Sequence, residues 1–398
     1  METSKTIDAL QLAGKRVFIR VDFNVPLTVD GKIADDTRIQ ASLPTIQYAL
    51  KMKAMVILAS HMGRPKGEKD PKFSLSPVAE RLMELLKLDE VIFPEDCVGD
   101  GIRKLSLEIK PGQVMLLENL RFHKEEEEND EKFSKKLASL CDLYINDAFG
   151  TVHRAHASTV GMVKWIKEKG AGFLIKKEIT FLSKVTEKPA HPFVAILGGA
   201  KVSDKIAVIE NLLNRVDRLT LGGAMANTFL AALGFKMGHS KVETEKMYIA
   251  KKTFERAKTK GVPILLPIDH VIAQSADENA PTKITEDANV PEGWMTVDIG
   301  PKTVALFSKE MENAKTLFWN GPLGIYEFEK FASGTKAMAT TIANLKNATT
   351  IIGGGDSAAA IQQMGLADKV THISTGGGAS LEFIEGKTLP GLRALGIQ

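Results

Sequence analysis

Cysteine is nearly absent from this chain: Cys97 and Cys141 are the only two in 398 residues. Neither has a partner at metal-binding or redox spacing, and two thiols in so long a chain make no disulfide framework, so a reducing compartment is expected. An excess of charge is missing too. Lys and Arg number 52 against 49 Asp and Glu, too small a surplus to hold nucleic acid or a membrane surface by bulk electrostatics. Any acidic ligand must therefore be gripped by local clusters. No apolar run approaches the roughly 20 residues of a membrane span, and Met1 to Lys15 mixes charges without the apolar segment of a secretory signal. The expectation is a cytoplasmic protein with no membrane or nucleic-acid partner. Low-complexity tracts are absent. The nearest, Glu125 to Glu128, reads as the solvated acidic start of a helix running to Leu140 rather than a cation site.

What is present is a repeated alternation. Short apolar runs rich in β-branched residues occur at 16–21, 55–59, 91–93, 114–117 and 143–145, and again at 193–197, 218–221, 264–267, 316–319, 350–352 and 371–374. Such runs read as buried parallel strands. Between them Ile39, Leu43, Ile46 and Leu50, and later Val202, Ile206, Ile209 and Leu213, recur at helical spacing. A chain of this length exceeds what one core usually supports. The pattern predicts an α/β protein of two doubly wound, Rossmann-like parallel-sheet domains, with ligand loops at the carboxyl ends of the strands. The seam is expected near 170–192, where Gly170 and Gly172 precede a helix-like run at 173–185 and Pro189 and Pro192 follow it.

The anion-binding residues divide between the halves. In the second, strands run into glycines at Gly198, Gly222, Gly353 and Gly376 before a helix pattern, which lets amide groups approach a phosphate closely. Residues 353–358 formally match G-x-G-x-x-A, but no acidic residue ends the next strand, and the mononucleotide loop G-x-x-x-x-G-K-[ST] is missing. Lys201 and Lys205, four apart, are expected to share one face of a helix that starts behind Gly199, a poor place for a cation unless an anion docks there. Asp356 reads as an N-cap or a Mg²⁺ ligand, roles that are compatible.

In the first half Arg38, Arg64, Arg121 and Arg154 lie at strand ends with His61, His153 and His156. Guanidinium groups grip phosphate and carboxylate oxygens bidentately, so a small polyanion is expected. No cysteine or carboxylate recurs at ligand spacing beside these histidines, which argues against zinc there. Asp22 and Asn24 read equally as hydroxyl-binding groups or as an Asx turn before Pro26.

Taken in order, VDFNVPL, DDTRI, SHMGRP, LENLRF, NDAFGTVHRAHAS, LGGAKVSDKI, FWNGPLGIYE, GGGDSAAA and STGGGASLE resemble the phosphoglycerate kinase family, and the resemblance runs from Lys15 to Leu395. It implies reversible phosphoryl transfer from 1,3-bisphosphoglycerate to ADP, giving 3-phosphoglycerate and ATP, with Mg²⁺, by in-line transfer in a hinge-closed cleft of a monomer. It implies a phosphoglycerate-binding domain at 1–170, to which 386–398 returns, an interdomain helix and linker at 171–192, and a nucleotide-binding domain at 193–385. Carried over, the phosphoglycerate falls to Asp22, Phe23, Asn24, Arg38, His61, Met62, Gly63, Arg64, Arg121 and Arg154. The nucleotide falls to Lys201, Lys205, Gly222, Gly223, Asn320, Glu327, Gly353, Gly354, Gly355, Asp356 and Ser357, with Asp356 on the metal. Arg38, Lys205, Gly353 and Gly376 stand as the catalytic positions. The family often has Thr where Ser357 stands; the hydroxyl is retained. Two rivals read the same chain as a nicotinamide-dependent dehydrogenase or as a non-catalytic two-lobed anion-binding protein.

Overall fold

The computed structural model describes residues 5–398; the first four residues, part of the segment read above from Met1 to Lys15, lie outside it. The chain divides into two compact units. One runs to Thr180 and takes back Thr388–Gln398, and the other is Phe181–Lys387.

The first unit is built on a parallel sheet of β1 (Arg16–Arg20), β2 (Met55–Ala59), β3 (Val114–Leu116), β4 (Leu143–Asn146) and β5 (Glu168–Ala171), in the order β3-β2-β1-β4-β5. Its strands are buried on both faces: Val17, Ile19, Val56, Leu58 and Ile145 share one face and pack with Ile39 and Ile46 of the helix Thr37–Lys51, while Phe18, Ile57 and Tyr144 are buried on the other. Each such side chain contributes roughly 1.5–3 kcal/mol when fully buried. Two expectations change. The run 91–93 is no strand: Ile92 makes one bridge to Met115, donating to Val114 at 2.9 Å and accepting from Leu116 at 2.9 Å. Pro94, lacking an N–H, prevents the ladder from continuing. Conversely Glu168–Ala171, polar in sequence, is an edge strand, and its charges suit an edge.

The second unit carries β6 (Phe193–Leu197), β7 (Arg218–Leu221), β8 (Ile264–Leu265), β9 (His270–Ala273), β10 (Thr282–Ile284), β11 (Met295–Ile299), β12 (Thr316–Asn320), β13 (Thr349–Gly353) and β14 (His372–Ile373). Six form a parallel sheet in the order β14-β13-β12-β6-β7-β8, while β10-β9-β11 is a separate antiparallel sheet that the sequence reading did not anticipate. A helix, Phe173–Thr186, contains the point at which the units divide. Its first turn is capped from within the first unit: Asp147 Oδ1 accepts from the amide of Leu174 at 2.9 Å, and Thr45 Oγ1 accepts from that of Phe173 at 2.9 Å. The segment after Thr388 packs through Gly391, whose N–H donates to Val152 at 2.8 Å. Among the described residues no helix is long and apolar enough to cross a membrane.

Candidate functional site

Parallel strands deliver their carboxyl ends to one edge of a sheet, so the loops after β1, β2, β3 and β4 come together. Asp22 follows β1, His61 follows β2, Arg121 follows β3 and Arg154 follows β4. Asp22 Oδ2 accepts from Arg38 Nη1 at 2.8 Å, while its Oδ1 accepts from the Asn24 amide at 3.2 Å. The Asx turn and a polar function for Asp22 therefore coexist. Asn24 Oδ1 accepts from the Gly63 amide at 2.8 Å, and the Gly63 carbonyl accepts from Arg121 Nη1 at 2.8 Å.

His61 measures the field at this edge. It is 5% exposed, and burial first, then Arg20, Arg121, Arg38 and Arg154, hold its imidazole well below the usual histidine range. Arg20 Nη2 lies 3.3 Å from His61 Nδ1; an arginine can only donate, so Nδ1 accepts and Nε2 carries the proton. His156 is pushed down to about 3 by burial and then by Arg121, Arg20 and Arg154. Burial does most to keep both histidines neutral, and the arginines that add to it make a positive potential that draws phosphate and carboxylate. Phe23 and Met62 belong to the core, and their amides donate to Ser60 Oγ at 2.8 Å and Asn119 Oδ1 at 3.2 Å. Both support the loops from behind. Arg64 is exposed on the same loop as His61 and carries none of these bonds.

Two residues of this edge escaped the sequence reading. Arg20, 1% exposed, donates from Nε to Ser158 Oγ at 2.8 Å and from Nη1 to the Val21 carbonyl. Ser158 in turn donates to Glu126, Oγ to Oε1 at 2.5 Å and N–H to Oε2 at 2.9 Å. The acidic run 125–128 is thus no uniformly solvated helix start. Glu126 is fully buried, and burial pushes its carboxyl up against the pull of Arg20. The helix is also broken: Lys124–Glu127 ends, Asn129 takes φ +54°, and Glu131–Ala138 restarts under an Asp130 cap. An arginine inside an apolar strand run was the available signal for Arg20.

In the second unit the loops after β6 and β12 meet where the strand order reverses. The amides of Gly198 and Gly199 donate to Asn320 at 2.9 Å and Pro322 at 3.0 Å. Glycine is required at Gly223: its φ is +65°, and a Cβ would meet the Gly199 carbonyl oxygen at 2.7 Å. A cavity of about 300 Å³ opens beside these loops, lined by Gly199, Gly223, Leu323, Glu327 and Asp356 on one side and by Thr296, Val297 and Asp298 of β11 on the other. The unanticipated antiparallel sheet therefore supplies a wall. Burial outweighs two amide donors at Asp298 and pushes its carboxyl up to about 7.

The lysines correct a prediction. The helix starts only at Ile206, with Lys205 at its N-cap, so Lys201 and Lys205 share no helix face. The intervening amides of Val202 and Ser203 donate to Glu243, whose Oε1 also accepts from Ser203 Oγ at 2.7 Å, holding 201–205 as turns. Lys205 donates to Asn320 Oδ1, and burial lowers its ammonium to about 8, against Asp204, Asp356 and Glu385. Asn320 Nδ2 is buried with no partner among the described residues, beside Gly353 and Gly354. Asp356 is no N-cap, since Gly354 takes that position in the helix Gly355–Gln363. Ser357 Oγ accepts from the Gly321 amide at 2.6 Å, and the Gly376 amide donates to Ser374 Oγ at 3.2 Å.

Arginines gathered on one doubly wound sheet, and glycine loops beside a cavity on another, make an α/β protein of two doubly wound units whose edges suit anionic ligands. A family model described as phosphoglycerate kinase matches residues 7–387. The chain is 57% identical over 392 residues to phosphoglycerate kinase of Anaeromyxobacter dehalogenans and 56% identical over 393 to that of Clostridium novyi, with 98% of each chain covered. Solved phosphoglycerate kinases from Coxiella burnetii and Pyrococcus horikoshii match with TM-scores of 0.88 and 0.86 at 42% and 36% identity, again over 98% of each chain. The chain belongs to the phosphoglycerate kinase family. It is accordingly a glycolytic phosphotransferase with a carboxyl group as acceptor, and the dehydrogenase and non-catalytic readings are set aside.

Proposed function

We propose that the first unit binds 3-phosphoglycerate or 1,3-bisphosphoglycerate and the second binds ADP or ATP. The observation that carries this is the buried His61, 3.3 Å from Arg20 and within the field of Arg121, Arg38 and Arg154, a gathering of positive charge suited to a polyanion. Asp22 and Asn24 orient the glycerate hydroxyl, while Arg38, Arg64, Arg121 and Arg154 meet its phosphate and carboxylate. Lys201, Lys205, Asn320 and the amides of 353–357 meet the nucleotide phosphates, Gly222 and Gly223 border the base, and Glu327 holds the ribose. The Gly376 amide assists at the transferred group.

The moving phosphoryl group carries distributed negative charge, so alignment and positive potential matter more than covalent chemistry. An acyl phosphate is already activated, and no general base is needed. Transfer requires a turnover state in which Arg38 and Lys205 both reach the moving group with water excluded. Asp356 fits Mg²⁺: its hard carboxylate oxygen stands on the lining of the cavity at the first turn of a helix, the donor type this ion takes alongside substrate phosphates. Bound there, the ion would neutralise phosphate charge. We further infer a cytoplasmic monomer, in keeping with two buried free thiols.

The test is a coupled assay of ATP formation from 1,3-bisphosphoglycerate and ADP, together with calorimetry of Mg·ADP. Activity with nucleotide heat lost in Asp356→Asn supports the assignment. Unchanged Mg·ADP binding in that variant removes Asp356 from the metal site.

A further inference from the structure

Asp96 and Cys97 adjoin each other in the loop ahead of the helix Asp100–Glu108, and His123 closes the turn Leu120–Phe122. No sequence spacing connects them. Folding brings a carboxylate oxygen of Asp96, the Cys97 sulfur and a ring nitrogen of His123 within 4.8 Å of one another. Cys97 is buried, and Asp96 and His123 are half-buried above it. The cluster is braced from behind: the His123 and Phe133 rings lie 5.2 Å apart, and Lys69 Nζ donates to the Glu95 carbonyl at 2.9 Å. None of the three residues has a part in the phosphoryl transfer described above.

We propose that Asp96, Cys97 and His123 form a binding site for a thiophilic divalent cation of the zinc type, with water as the fourth ligand. One oxygen, one sulfur and one nitrogen suit a borderline-soft ion, whereas Mg²⁺ and Ca²⁺ take oxygen. Bonds of about 2.0–2.3 Å to a tetrahedral ion place its donors roughly 3.3–3.8 Å apart, so donors as far apart as 4.8 Å must close by about 1 Å, while the Asp96–His123 pair, now at 2.6 Å, must open by roughly 0.7 Å. Asp96 and His123 can move that far. They now share a hydrogen bond of 2.6 Å, which they would exchange for bonds to the ion. Burial first, then Asp96 and Glu126, hold the Cys97 thiol protonated until an ion displaces the proton, but those carboxylates, with Glu125 near His123 and Lys136 opposing, have the sign that attracts a cation. Binding releases the thiol proton to solvent and leaves a thiolate ligand, with no change of oxidation state. Because His123 ends the turn that carries Arg121, an ion here ties the loop of Asp96 to that turn.

The experiment is titration of the metal-free full chain with Co²⁺, without nucleotide, followed by displacement with Zn²⁺. The readout is the sulfur-to-cobalt charge-transfer absorption, which cobalt on Asp356 or any other oxygen site does not give. One equivalent is expected to produce the band, Cys141→Ser to keep it, Cys97→Ser to abolish it, and His123→Gln to weaken cobalt binding at least roughly tenfold. Absence of the band in the unmodified chain overturns the proposal, as does its survival in Cys97→Ser or equal affinity in His123→Gln. Should Cys97→Ser fail to fold, the half-buried His123→Gln and Asp96→Asn decide alone.

Discussion

The two units furnish the carboxyl edges of their parallel sheets with opposite materials. The first uses side-chain charge kept out of water: His61 and His156 are buried and pushed towards their neutral forms by burial first and then by neighbouring guanidiniums, while buried Arg121 is pushed down by burial and pulled back by Glu127 ahead of Arg20 and Arg154. Such a site is electrostatically uncomfortable until an anion arrives. The second uses tight glycine loops and a cavity with a mixed lining, beside a Lys205 that burial lowers to about 8. On the proposed assignment, the difference teaches that charge would discriminate a small rigid acid, whereas glycine loops and a shaped cavity would accommodate a nucleotide whose base carries no charge.

The largest expected break in this comparison is Arg38→Ala. It should lower turnover by on the order of a hundredfold or more while leaving Mg·ADP affinity nearly unchanged, as checked by steady-state rates beside calorimetry. Equal activity would remove Arg38 from the chemistry. Next comes Gly355→Ala in the other unit. A Cβ there meets nothing within 4 Å, so folding should be indifferent, and a methyl among the phosphate-facing amides should weaken nucleotide binding roughly tenfold. A drop in melting temperature with unchanged nucleotide affinity would show that the loop serves the fold and not the ligand.

Stability against pH sharpens the contrast further. Asp147 in the first unit and Asp298 in the second are each pushed up to about 7 by burial, from an ordinary value of 3.8. Above about 7 each buried carboxylate costs stability that the unfolded chain does not bear. As pH falls towards 3.8 the folded state binds protons that the unfolded state does not, so this cost is relieved. Asp147 accepts both its amides on Oδ1, and the Thr45 hydroxyl also acts on its carboxylate. Asp147→Asn should therefore keep the helix cap and flatten part of the rise in denaturant midpoint between about pH 7 and 4; an unaltered slope would contradict it. The smallest effect concerns Lys205. A phosphate beside an ammonium already lowered to about 8 should raise it again, so Mg·ADP binding near that pH should take up a proton. Calorimetry in buffers of different ionisation heat measures this, and Lys205→Met should abolish it.

Much of the fold was legible because parallel strands buried on both faces write themselves as β-branched runs. Strands β2, β6 and β7 occupy the expected residues. Strand β5 and the sheet β10-β9-β11 were not legible, since an edge strand such as Glu168–Ala171 and half-exposed antiparallel strands mix polar residues into short stretches. Site residues at strand ends, such as His61 and Arg121, could be named because a doubly wound topology sends every such end to one edge. Arg20 hid within a strand run, and Glu126 within an acidic one.

Residue order alone determined the class of fold, the residue types offered at each sheet edge and the family, because hydrophobic period and loop chemistry are local properties of the chain. Tertiary structure alone decided which of those charges are desolvated, that Glu243 holds the amides between the two lysines, that β11 walls the cavity, and that Cys97 meets His123. Burial and through-space distance set those outcomes, and neither is a function of separation along the sequence.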